Sequence, residues 1–571
     1  MRFSVWSSAA LAVAACAFGC GESADQPEGT ETPAAGAGFS AAGADSAGAP
    51  PTPIGGSGAD GGTDAGGMAG LTGAGDAGQA GEAGADSGGA PVRPPYEWVG
   101  VIGTGQSLSV GVRAGYISPA EPYGNLVLRD DGPDPKYPLT GGKPQWSVVP
   151  LKEPVRAKVA GTGPGYTDQQ YPNNILGETP HSGMADTLSW LWQERGNIGE
   201  YVTAHSVVGW SGHCLYDIDK AGGKRAYPAS INEARVLKRL ADQQKKSFGY
   251  GAITMTHGEC DRTNTNYGKG LYQLLRDYNT DLKPITKQTR DVVMLISQQS
   301  TKDTGPDGSA VQVFRAGREH PGELICTGPK YQYQYAADKL HLQAAGYRRL
   351  GEKYAEVFDA VVNRGVAWQP LGPISAKRTG NVIAVAFHVP APPLVWSTHI
   401  AAPHQGVHTE WAKGRGFEVA TAQGTAVTIA SVAIQANTVL ITLQSPPAGA
   451  LEVAYALTQD AEGNQGGDVR GLRGQLRDSD DFVGADAETI AVQATQGSAT
   501  VTSVTPGSFR RRTGFDVLTE GGQRLPLVLS SRDSDDELTL SGPWSSPSGT
   551  HTLTFNYDLY NYAVHFSMPV E

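Results

Sequence analysis

"VIGTGQSLSVG", residues 101 to 111, decides how this chain is read. Val101 and Ile102 close the apolar run that starts at Trp98, which reads as a strand entering a core. Gly103 and Gly105 then allow a tight turn before Gln106 and Ser107. A serine delivered there has two readings. It caps a following helix, or it is a nucleophile held at a strand end.

Working outward, the same rhythm recurs. Strand patterns at 97–103, 201–209, 250–258 and 290–299 alternate with helical patterns at 182–196, 230–246, 267–285 and 342–362, with Ser182 a candidate N-cap. Strands followed by helices predict a parallel sheet covered on both faces, a three-layer α/β/α domain over residues 93–366. Ligands of such sheets bind beyond the carboxyl ends of the strands, where Ser107 would lie. Past about Gln369 the helical period stops. Segments 381–389, 426–434, 437–444 and 450–458 alternate apolar and polar residues, which predicts an all-β, sandwich-like region over 367–571. "GTHTLTFNY" (549–557) and "NYAVHFSM" (561–568) extend that pattern, and 482–538 reads as an insertion or a third small β unit.

The first 90 residues differ in kind. Residues 21–90 hold 21 glycines and ten Asp/Glu with no Lys or Arg, so the segment 21–92 is expected to be a tether that cannot bury a core. With Arg2 the first 90 residues sum to −9, which leaves −3 of the total −12 for the rest. The folded part is near neutral and has no basic stripe, so no nucleic-acid partner is expected. Ala9 to Ala15 is too short to span a bilayer and reads as an export signal. "VAAC" (13–16) and "AFGC" (17–20) both resemble a bacterial lipobox, which implies lipidation at Cys16 or Cys20, residues 1–20 as the signal, and an outer-membrane or cell-surface location through a lipid anchor alone.

Four segments fall at strand ends of the α/β region: "GTGQSLS" (103–109), "GWSGHC" (209–214), "HGECD" (257–261) and "DKLHL" (338–342). In that order they resemble an SGNH hydrolase, a flavodoxin-like fold, and most closely its sialate O-acetylesterase and acetylxylan esterase branch. The resemblance spans about residues 97–362 and implies a serine esterase acting on an acetylated glycan or small ester, without a cofactor. The chemistry agrees: a serine hydroxyl is inert until a base takes its proton, and the base needs an orienting acceptor. Asp338 and His341, three apart, supply both within one turn, so Ser107, Asp338 and His341 are the expected catalytic set. Backbone N–H groups of Ser107 and Gly212 would line an oxyanion hole, with His257 as the expected third donor or, as the alternative, no third donor at all. Gln106, Glu259 and Asp261 would support the site. If the motifs converge, Cys214 and Cys260 come close enough for a disulfide; the alternative is two buried thiols, and Cys326 is left over.

Two other classes compete. "HGEC" invites a zinc reading, but no C-x-x-C follows it, and "RGQLRDSDD" (473–481) lacks the spacing of a calcium loop, so no metal is expected. A non-catalytic surface glycan-binding lipoprotein is the other, with Trp411 in "HQGVHTEW" a candidate sugar contact or an ordinary packing residue. His181 is a candidate substrate contact or, preferably, a loop histidine without a role; the tyrosines 331, 333 and 335 are further candidates for the rim, and one of Trp190 and Trp192 is expected in the core.

Overall fold

The computed structural model describes residues 91–130, 146–156, 169–398, 400–403, 405–480, 488–509, 517–521, 523–534, 536–540, 542–556 and 560–571. The signal, Cys16, Cys20 and nearly all of the tether lie outside the described residues. All described residues belong to one contact-defined unit.

Strands β1 (Trp98–Gly105), β2 (Leu126–Asp130), β3 (Trp146–Pro150), β4 (Thr203–Val207), β5 (Phe248–Thr256), β6 (Val293–Ser297) and β7 (Leu324–Gly328) make one sheet in the order 3-2-4-1-5-6-7. All neighbours are parallel except β3, which forms an antiparallel edge on β2. β1 and β5 are buried along their whole length, as strands covered on both faces must be. Val99 and Val101 of β1 pack with Met184, Leu188, Leu350 and Tyr354 of helices α1 (Pro180–Glu194) and α6 (Ala344–Phe358). Trp98 and Ile102, one position out of phase, share a second cluster with α3 (Ala226–Gln243) and α4 (Tyr267–Thr286). The period-2 alternation of the central strand thus fills both helical layers. A short α2 (Leu215–Ile218) and α5 (Ser309–Glu319) complete the helices of this domain among the described residues.

Several sequence expectations shift. The N-cap of α1 is Thr179, whose hydroxyl accepts from the His181 N–H, and not Ser182. His181 is no rim residue: it is buried against Gly103, where an added Cβ would lie 1.8 Å from its Nε2, and burial pushes its pKa down to about 3. Trp192 is buried and Trp190 half-buried. Trp411 is buried with its indole N–H on the Val419 carbonyl, so it packs and does not face a ligand.

The β region is two structures. β8 (Gly372–Thr379), β9 (Val382–His388), β12 (Ile429–Gln435) and β13 (Thr438–Leu443) form one antiparallel sheet; β11 (Phe417–Thr421), β14 (Leu451–Tyr455) and β22 (Phe566–Val570) form another, with a small β10 (Val395–Trp396)–β15 (Leu476–Arg477) pair beside them. Their inward residues, Ile383, Val385, Ile441, Val453 and Phe566 among them, share one core. Between β15 and β22 the chain inserts a closed barrel of β16 (Glu488–Ala494), β17 (Thr500–Ser503), β18 (Val517–Glu520), β19 (Gln523–Arg532), β20 (Glu537–Leu540) and β21 (Gly549–Asn556). The barrel has its own core around Val492, Val501, Leu538, Trp544 and Phe555. The insertion therefore runs on to Asn556, past the expected end at 538, and 549–556 belong to the barrel and not to the sandwich.

Candidate active site

At the end of β1 the chain passes so close to β5 that a Cβ on Gly105, at φ +135°, would sit 2.2 Å from the Thr256 carbonyl oxygen. Only glycine fits there. Gln106 N–H then donates to that same carbonyl at 3.2 Å, and Ser107–Ser109 form one 3-10 turn, with Val112 N–H returning to the Ser107 carbonyl at 3.2 Å. The capping reading fails on this geometry. Ser107 caps nothing: it is 5% exposed, and among the described residues its Oγ has no hydrogen-bond partner.

Asp338 and His341 lie in the loop after β7. A short bridge between Tyr335 and Leu342, with Ala336 N–H donating to the His341 carbonyl at 2.7 Å, closes that loop. Asp338 Oδ2 lies 2.7 Å from His341 Nδ1, while Oδ1 accepts the N–H groups of Leu340 (3.1 Å) and His341 (3.0 Å). Partial burial pushes the Asp338 carboxyl up, but the ring and the two amides together outweigh it, and its pKa falls below the ordinary range. An ionised Asp338 on Nδ1 fixes the tautomer that leaves Nε2 as an acceptor, and Nε2 has no partner among the described residues. Arg113, on the serine loop, reaches Asp338 Oδ2 at 3.5 Å. Leu108 and Leu342 share one cluster with Tyr347, whose hydroxyl donates to the Val112 carbonyl at 2.9 Å. The serine turn and the histidine loop are thus packed together at the carboxyl ends of the strands.

The loop after β4 presses on the same turn: a Cβ on Gly209 would lie 1.9 Å from Ser109 Oγ. Gly212 takes the left-handed conformation (φ +77°), is exposed, and its N–H has no partner among the described residues. Trp210 and His213 stack at 3.3 Å on either side of it in sequence. Cys214 and Cys260 form a disulfide, their Cα atoms 5.0 Å apart, joining this loop to the one after β5; Cys326 is free and buried.

His257 is not an oxyanion donor. It is fully buried, its Nδ1 pairs with the Tyr267 hydroxyl at 2.8 Å and its Nε2 with the His213 carbonyl at 3.0 Å, and burial above all lowers its pKa. Both nitrogens are spent holding the β4 and β5 loops together. The same facts remove the zinc reading, because His257, Cys214 and Cys260 have no ligand atoms left. Asp261 is structural: its carboxylate accepts Leu215 N–H at the start of α2 (2.7 Å) and Asn264 Nδ2 (2.9 Å). Gln106 Oε1 accepts the Cys260 N–H at 3.2 Å, which identifies Nε2 as the remaining amide donor, without a partner among the described residues. Glu259 meets the buried Lys330 at 2.8 Å. Lys330, Arg113 and Lys339 were not singled out from the sequence; a lone cation in a loop carries no signal of its partner. Of the tyrosines, Tyr331 turns away to the Ala563 carbonyl (2.7 Å), Tyr333 is buried, and Tyr335 lies beside the histidine loop. Asp478, in the segment weighed as a calcium loop, instead accepts N–H groups of Asn561 and Ala391.

No family model matches the sequence, and no curated protein matches it. In structure the chain is similar to a carbohydrate acetylesterase from Xanthomonas citri, at 13% identity and TM-score 0.41 over 66% of this chain and 77% of that one. It is also similar to an Arabidopsis thaliana protein solved at 1.6 Å (14% identity, TM-score 0.33, 47% of this chain and 100% of that one). A third likeness is to NanS (10% identity, TM-score 0.30, 47% and 98%).

Proposed function

We propose that this chain is an SGNH-type serine esterase that removes O-acetyl groups from a glycan. One observation carries the reading. A serine hydroxyl without a partner among the described residues, at a glycine-forced strand end, shares the carboxyl end of the sheet with an imidazole whose Nδ1 is held 2.7 Å from an ionised carboxylate. In this mechanism Ser107 Oγ attacks the ester carbonyl as His341 Nε2 takes its proton, and Asp338 stabilises the imidazolium without taking a proton itself. The tetrahedral oxyanion is met by the N–H groups of Ser107 and Gly212, neither of which donates within the described residues, with Gln106 Nε2 as the nearby side-chain donor. Collapse expels the sugar alcohol, which collects the proton from His341 and leaves an acetyl group on Ser107. Water activated by the same histidine then releases acetate. The glycan ester as substrate draws support from the name of the Xanthomonas citri neighbour, a carbohydrate acetylesterase. Export and a lipid anchor at Cys16 or Cys20 rest on the sequence alone.

The test is Ser107→Ala. Turnover of p-nitrophenyl acetate and acetylated xylan should fall more than about a hundredfold, since loss of a nucleophile costs far more than that in related triads. The melting temperature should hold, because Ser107 Oγ has no hydrogen-bond partner among the described residues. A variant that keeps more than that residual rate removes Ser107 from the chemistry.

A further inference from the structure

The connection from β14 to β15, residues 456–475, leaves the sandwich and lies on the α/β domain. Gln459 N–H donates to Asp303 (2.7 Å) and Gln465 N–H to the Thr301 carbonyl (2.9 Å), both in the loop after β6. It then reaches the histidine loop itself. Gly466 N–H donates to the Lys339 carbonyl at 2.8 Å, and Lys339 Nζ donates to Asp468 Oδ2 at 2.6 Å and Gln465 Oε1 at 3.3 Å. Gly466 and Gly467 let the backbone lie flat on Tyr335: a Cβ on either would come within 2.3 or 2.8 Å of that ring.

Lys339 stands between Asp338 and His341 in the left-handed conformation, φ +53°, which a lysine rarely adopts unaided. The turn that brings Asp338 onto His341 depends on it. Asp468 is itself held, its Oδ1 accepting Arg470 N–H at 2.9 Å and its N–H donating to the Gln465 carbonyl at 3.1 Å. Arg473 donates to the Gly467 carbonyl at 3.2 Å.

We propose that Asp468 and the Gly466–Gly467 backbone are positioning elements of the active site, holding Lys339 in its left-handed turn and so setting the Asp338–His341 geometry. This rests on the serine-esterase reading above. The β region is then part of the catalytic apparatus and not a carried module. Asp468 and Lys339 are partly exposed, so their pairing contributes little to global stability. Geometry is more sensitive: a displacement of about 1 Å at a reacting group costs on the order of a hundredfold in rate.

The full chain carrying Asp468→Ala should lose about ten- to a hundredfold in kcat on p-nitrophenyl acetate. KM should change less than about twofold, and labelling of Ser107 by a fluorophosphonate should slow by the same factor as kcat. The melting temperature should hold. The swap Lys339→Asp with Asp468→Lys should restore most of the rate, since aspartate tolerates the left-handed region better than lysine. Wild-type kcat and labelling in Asp468→Ala overturn the proposal, as does a loss that tracks unfolding and is not restored by the swap. If the wild-type protein itself neither turns over esters nor labels on Ser107, the esterase reading fails first and takes this one with it.

Discussion

Glu259 and Lys330 offer the sharpest test of how the site is held up. Lys330 is wholly buried and Glu259 nearly so, and Oε1 lies 2.8 Å from Nζ. The contact is charge to charge without hydrogen-bond alignment, and neither group has another partner among the described residues. At that separation and an effective dielectric of about 20, the attraction is about 6 kcal/mol. Stripping water from each ion costs several kcal/mol, so the intact pair adds little net stability. Breaking it differs, because the surviving charge keeps its desolvation cost and loses its compensation. Lys330→Met and Glu259→Met should each destabilise the fold by about 3–5 kcal/mol, and the double variant should recover most of that loss. Urea unfolding followed by tryptophan fluorescence on the three variants closes the cycle. Additive losses in the double variant, or single losses below about 1 kcal/mol, would refute the claim that these two groups compensate only each other.

Two further outcomes follow from the described geometry. The Cys214–Cys260 bond spans 46 residues, and chain entropy alone puts its contribution near 4 kcal/mol; Cys214→Ser with Cys260→Ser should lower the urea midpoint accordingly, and non-reducing peptide maps of the native protein should show the two cysteines linked. Burial, and then the neighbouring Glu178, raises Glu153 to about 8, while burial raises Glu356 to about 8 and Glu418 to about 7. These raised acids hold protons that the unfolded chain releases, so the stability they confer is complete below about pH 4.5 and is lost as pH rises toward 8. Buried His181, His257 and His565, held neutral by burial, act in the opposite sense below about pH 6.5. The fall of the thermal midpoint is therefore expected between about pH 7 and 8.5, and Glu153→Gln should flatten it; a midpoint that rises over that window contradicts the assignment.

What the sequence disclosed and what it hid divide along physical lines. β1 and β5 are continuous apolar runs because both their faces are covered, and a run of that kind is visible without a structure. Asp338 and His341 are three residues apart, so their contact is nearly local and was legible from spacing. β2, β3 and β7 were missed with α5, although they are no shorter than β4 and β6, which were read, so length alone does not account for them. "GTHTLTFNY" alternates like any half-buried strand, but alternation tells nothing about which strands it pairs with, so its place in the barrel was misread. His257 was misassigned for the same reason: the Tyr267 hydroxyl and the His213 carbonyl that occupy its ring are set by the fold, not by neighbouring letters.

The C-terminal strand ties these pieces together. β22 pairs with β14, whose outgoing connection carries Asp468 to the histidine loop. The residues leading into β22 bond the α/β domain directly: His565 N–H donates to Gln298 Oε1 (2.9 Å), His565 Nε2 meets Ser300 Oγ (2.8 Å), and Asn561 Oδ1 accepts from Lys353 Nζ (3.1 Å). Ser300 Oγ in turn accepts the Lys330 N–H at 3.1 Å, the same Lys330 that balances Glu259 beneath the site. The barrel inserted before β22 packs around a core separate from the sandwich. The strand that follows it does not stand apart, because the support of Glu259 from below and of Asp338 and His341 from the side both run through its neighbours.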